Sequence, residues 1–147
     1  MIDIKLLEQL CLCNGISGDE GNVRNLIIYD IKDCADDIKT DNLGNLIVVK
    51  KGKKSAKSKL MVSAHMDEVG LMVTDITSDG YLKFDEVGGI DRRVLPGKRV
   101  CVGRNGLNGV IGVKPIHLTN GDEKTAVPKM NDMYIDIGAE SREDALK

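Results

Sequence analysis

The chain has 147 residues, of which 41% are hydrophobic and 30% charged, with a formal net charge of -2. Those figures describe an ordinary globular protein, long enough to bury a core without staples, and one domain is the default. A balanced charge excludes the strongly basic face of a general nucleic-acid binder. Aromatic residues make up only 3%, with no Trp, so the core must come from Ile, Leu, Val and Met.

No apolar run approaches bilayer-spanning length, and Asp3, Lys5, Glu8 and Gln9 interrupt any signal-peptide core. Cys11, Cys13, Cys34 and Cys101 contain no C-x-x-C spacing. They read as buried or half-buried thiols in a reducing compartment. The expectation is a soluble, cytoplasmic protein with neither a membrane nor a nucleic-acid partner.

In chain order, residues 3–12 read as a short helix with Ile4, Leu7 and Cys11 on one stripe. "NGISG" (Asn14 to Gly18) breaks it. Ser17, with Glu20 three residues on, has the spacing of a capping box for a second helix. Val23, Leu26, Ile27, Ile31 and Cys34 give that helix one apolar face. "DNLGN" (Asp41 to Asn45) is a turn by composition, and "LIVV" (Leu46 to Val49) a strand. The lysine-rich stretch from Lys50 to Lys59 leads to "LMVSAH", read as a second strand and hence a hairpin. No aromatic residue interleaves with those lysines, so they read as a solvated loop.

Beyond Gly70 the period is that of strands: Leu71 to Asp75, Tyr81 to Asp85, Arg99 to Val102, Gly109 to Val113 and Met133 to Ile137. Glycine-rich turns separate them, the pattern of a small barrel or sandwich. Ser141 with Asp144 offers a late capping box. The organisation is therefore α/β over residues 1–69 and all-β over residues 70–147.

The chemistry concentrates in "SAHMDEVG". On a strand, His65 and Asp67 project to one side together with Ser63. A neutral imidazole is a good ligand for Zn²⁺ or Co²⁺, best when its other ring nitrogen donates to a carboxylate. Spacing alone leaves three readings open: Asp67 supports the histidine, Asp67 reaches a metal itself, or the two form a structural hydrogen bond. The other histidine, His117 in "KPIHL", has no ligand-spaced neighbour and reads as structural or interfacial. No G-x-S-x-G and no P-loop is present.

At this point the chain resembles the M42 metallo-aminopeptidases. The resemblance rests on "NGISGDE", "TDNLGNLIV" (Thr40 to Val48, at the family's first hairpin), "SAHMDEVGLMV", "VGGIDRRVLPGKRV", "GVIGVKPIHL" and "YIDIGAESREDA", which follow in the family's order. It implies a fold: the N-terminal part of a zinc-exopeptidase-like α/β catalytic domain, then an inserted small β-barrel that mediates dimerisation. It implies an activity, the removal of N-terminal residues from peptides with two divalent ions, Zn²⁺ or Co²⁺. It implies that His65 is a metal ligand and that Asp67 orients it, with no role for Glu68. The family's remaining ligands and its general-base glutamate come after the barrel, so a truncated chain is expected. Alone, it should be inactive and bind at most one metal ion, weakly. Two other readings stand beside this: a non-catalytic dimerisation module, and an endoglucanase. Few aromatics and no recognisable pair of carboxylates disfavour the last.

Overall fold

The structure, a computed structural model, describes residues 3–54, 58–115, 118 and 126–147. It divides into two compact units, Met1–Glu68 and Val69–Lys147. No helix among the described residues is long and apolar enough to cross a membrane.

The first unit opens with α1 (Ile4–Leu12), whose N-cap Asp3 accepts from the backbone N–H groups of Lys5 and Leu6. That caps two of the donors a helix start leaves free. Its expected stripe is not buried: Ile4 is 76% exposed and Leu7 52%. The second helix, α2, spans Gly21–Ile31, with Glu20 as an N-cap that makes no side-chain capping bond. The expected Ser17–Glu20 capping box is therefore corrected. The Glu20 carboxylate accepts from the N–H of Gly18 at 2.6 Å, and the Ser17 hydroxyl is engaged elsewhere. On the expected apolar face only Val23 is buried, and Cys34 lies beyond the helix end.

The hairpin is also corrected. β2 (Leu46–Val49) pairs antiparallel with β1 (Asp37–Thr40), not with residues 60–65. The turn between β1 and β2 explains the choice. The Asp41 carboxylate accepts from Leu43 N, Asn45 N and the Asn45 side-chain amide, each at 2.9 Å. Gly44 supplies the left-handed backbone there, at φ +87°. A five-residue turn closes this ladder at an entropic cost only about 0.6 kcal/mol below that of a loop twice as long, so the Asp41 hydrogen bonds weigh more than loop length. Residues 60–67 form no strand, and Leu60, Met61 and Val62 are 86–92% exposed.

The second unit is a five-stranded antiparallel sheet in the order β3-β4-β7-β6-β5. Its strands are β3 (Gly70–Ile76), β4 (Leu82–Val87), β5 (Arg99–Val102), β6 (Leu107–Val113) and β7 (Met133–Asp136). All five were legible from the sequence, with boundaries shifted by no more than two residues. The period of two puts Leu82 and Phe84 of β4, Ile111 of β6, and Met133 and Ile135 of β7 into one core with Leu95 and Met130. Two glycines of β6 let this packing close. A Cβ on Gly109 would sit 2.6 Å from Ile135, and one on Gly112 would sit 2.5 Å from the Tyr134 ring. That ring in turn packs on Tyr81, with centroids 4.7 Å apart.

The short helix α3 (Arg142–Ala145) starts at Ser141, whose hydroxyl accepts from Asp144 N as the sequence indicated. Arg142 ties it to β3, donating to the Ile76 carbonyl and to the Asp75 carboxylate. The cysteines depart from expectation. Among the described residues none of the four forms a disulfide, Cys11, Cys34 and Cys101 are exposed, and Cys13 is half-buried. Their positions account for it: α1 buries none of its residues, Cys34 lies past the end of α2, and Cys101 sits on the edge strand β5.

The two units differ in what they bury. Seven of the eight buried apolar residues described belong to the second unit, and Val23 alone to the first. Apolar burial is the main stabilising term. Hydrogen exchange should therefore show lower amide protection over α1, α2 and the β1–β2 hairpin than over β4, β6 and β7. Equal protection in the two units would contradict this.

Candidate functional site

The candidate site lies in the first unit, where two loops about fifty residues apart in sequence meet. Gly15 is buried, and a side chain there would collide with Val23, at 2.5 Å from its Cγ2. The bare backbone of the loop can therefore approach residues 66–68. Glu68 N donates to the Gly15 carbonyl at 2.8 Å, Gly15 N donates to the Glu68 carboxylate at 3.2 Å, and Ile16 bridges Glu68 in parallel sense. Glu68, given no role from sequence, is thus a structural tie.

That tie sets Asp67 between two partners. The Ser17 hydroxyl donates to Asp67 Oδ2. His65 Nδ1 lies 3.1 Å from Asp67 Oδ1 and 2.9 Å from the Asp67 carbonyl oxygen. Carbonyl oxygen and carboxylate both only accept. Nδ1 must therefore carry the proton, which leaves the lone pair of a neutral ring on Nε2. The His65 side chain is 85% exposed, so that lone pair stands open to a ligand. A divalent ion of the Zn²⁺ or Co²⁺ kind suits this donor, since neutral imidazole nitrogen is among its preferred ligands.

His65, Met66, Asp67 and Glu68 line a pocket of about 290 Å³ with Cys13 and Val23. Among the described residues no group of three or more His, Cys, Asp or Glu side chains is placed to hold a metal. The site supplies one metal-ligand candidate and its supporting carboxylate. His117 lies outside the described residues. Ser17 was hidden from sequence reading because its capping-box spacing pointed at α2, and no local pattern reports a partner so distant.

The Ser17 hydroxyl first, then the residue's own backbone N–H and the His65 ring, hold the Asp67 carboxyl below its usual value of 3.8 against an opposing desolvation effect. Because the folded value is the lower one, the interaction stabilises the fold above pH 3.8. That contribution fades as pH falls through the folded value. A carboxyl ¹³C titration should give an Asp67 midpoint below 3.8, and Ser17→Ala should move it back toward 3.8. A midpoint at or above 3.8 in the unaltered chain would contradict this assignment.

The pattern now on the page is a histidine with its Nε2 free and an aspartate behind it, followed in the chain by an antiparallel sheet. The family model for M42 glutamyl aminopeptidases matches residues 44–147, and the chain belongs to that family. It is similar to a lysyl aminopeptidase of Pyrococcus furiosus, with 36% identity over 99% of this chain and 42% of the relative. Among solved structures it is similar to a TET aminopeptidase from the Thaumarchaeota archaeon SCGC AB-539-E09. There the TM-score is 0.90 and the identity 35%, covering 97% of this chain and 40% of that one. The TET1 peptidase of Pyrococcus horikoshii, described as assembling into a tetrahedron or a large octahedral shell, matches with a TM-score of 0.82. Its identity is 46%, over 97% of this chain and 42% of that one. The chain thus spans about two fifths of the length of these relatives.

Proposed function

We propose that the chain supplies the first part of a metal-dependent aminopeptidase that removes N-terminal residues from peptides. The observation that carries this reading is the His65–Asp67 pair, in which both acceptors sit on Nδ1 and Nε2 is left as a metal donor. Family membership and the aminopeptidase names of the relatives support it. In this reading His65 is a ligand to one of two divalent ions, Zn²⁺ or Co²⁺. Asp67 is the residue that fixes its ring. A bound divalent ion would lower the pKa of a water molecule and polarise a peptide carbonyl. The chain's own residues do the holding: Asp67 keeps the proton on Nδ1, and the Gly15–Glu68 tie keeps Asp67 in place. Four cysteines with no disulfide among the described residues suit a reducing, cytoplasmic location.

One ligand does not close a tetrahedral set. On its own the chain should bind Zn²⁺ more weakly than about micromolar, with the shift centred on the His65 ring and lost in His65→Ala. It should release no product from aminoacyl-anilides in the presence of Co²⁺. An NMR titration with Zn²⁺ checks the first statement and a chelator-controlled assay the second. Binding unaffected by His65→Ala, or chelator-sensitive turnover by the chain alone, would overturn the reading.

The second unit favours a companion role as an oligomerisation surface. Val69, Met72, Val73 and Val94 are 43–56% exposed, and β3 and β5 end the sheet. We propose that this unit is the inserted β-barrel domain and that it joins copies of the protein. The assemblies described for the horikoshii relative support that proposal.

A further inference from the structure

We infer that Ser17 is a positioning residue for His65, acting through the carboxylate of Asp67. The inference rests on the reading of His65 as a metal ligand and adds to it a residue from another part of the chain. The geometry is a short chain of hydrogen bonds: Ser17 hydroxyl to Asp67 Oδ2, and His65 Nδ1–H to Asp67 Oδ1. A carboxylate with one oxygen engaged can still turn about its last side-chain bond, which is a broad torsion. With each oxygen engaged by a different partner, that rotation is restrained. Ser17 is therefore what keeps Oδ1 facing the imidazole.

The placement of Ser17 is itself built. Gly15 has no room for a side chain beside Val23, and the two hydrogen bonds between Gly15 and Glu68 fix the loop two residues before the serine. The hydroxyl is the group that this geometry delivers to Asp67, and it is absent from the start of α2, where Glu20 holds the cap position. Without the hydroxyl, His65 Nδ1 keeps one firm acceptor, the Asp67 carbonyl at 2.9 Å, and loses the fixed second one. The ring then samples the tautomer with its proton on Nε2, in which Nε2 has no lone pair to offer a metal ion.

The test uses the 147-residue chain, Ser17→Ala and Ser17→Thr. Ring ¹⁵N shifts of His65 are read without metal near pH 9, above the ordinary imidazole range of about 6.5, and a Zn²⁺ titration follows. The unaltered chain should show the Nδ1–H tautomer. Ser17→Ala should show a measurable Nε2–H population and a Zn²⁺ affinity lower by roughly threefold to tenfold, below the loss typical of a direct ligand-supporting group. Ser17→Thr, which keeps the hydroxyl, should restore both. Amide shifts of Gly15 and Glu68 report whether the loop remains folded. With those shifts intact, an unchanged tautomer and affinity in Ser17→Ala would overturn the inference, and so would a threonine variant that behaves like alanine. Failure of Zn²⁺ to perturb His65 in the unaltered chain is a different result. It overturns the ligand reading, and the positioning role is then decided by the tautomer populations alone.

Discussion

The contact between Gly15 and Glu68 is the constraint on which the candidate site depends. Two hydrogen bonds and a parallel bridge join loops that would otherwise diffuse independently. Closing so long a loop carries an entropic cost, and the tie offsets it with backbone pairing rather than with a large apolar core. The close approach requires a residue with no side chain, because any Cβ at position 15 would meet Val23. Once the loops are joined, the rest follows by short steps. Ser17 meets Asp67, Asp67 meets His65, and the imidazole is left with one assigned proton and one free lone pair.

This division of labour separates the two units physically. The second unit is held by the usual means, an antiparallel sheet whose alternate residues fill one core around Ile111 and Met133. The first is held by capping and turn hydrogen bonds, with Asp3 at α1 and Asp41 in the hairpin turn, and with little buried apolar area. Local unfolding costs least where few apolar contacts are buried. A candidate metal ligand thus sits in the less buried unit, where polar ties to distant residues do the orienting. The exposed run Leu60–Val62 immediately before it has no strand beside it among the described residues.

How much could be read from the residues alone follows the range of the forces involved. The strands of the second unit were legible because a period of two and glycine turns are local signals, and Arg99–Val102 was located to the residue. Composition alone missed β1 because "DIKT" carries one apolar residue, and its pairing is set by the Asp41 turn rather than by burial; the resemblance through "TDNLGNLIV" did put a hairpin there. "LMVSAH" was misread for the opposite reason: its composition suits an inner strand, but a strand also needs neighbours, and none stands beside it among the described residues. His65 and Asp67 were visible as a pair because strand spacing and extended loop spacing bring them equally close. Ser17 and Glu68 were not, since nothing local announces a partner fifty residues away. The M42 resemblance supplied the roles that spacing left open, and the family match upholds the resemblance itself.

The central claim is that His65 offers Nε2 to a divalent ion while Asp67 holds Nδ1. Crystals of the chain soaked in Zn²⁺ and measured at the zinc absorption edge test it most directly. The predicted result is an anomalous peak about 2.0–2.1 Å from His65 Nε2, with the Nδ1–Asp67 hydrogen bond intact. A peak on the Nδ1 side of the ring, or zinc bound elsewhere with none at His65, would contradict it.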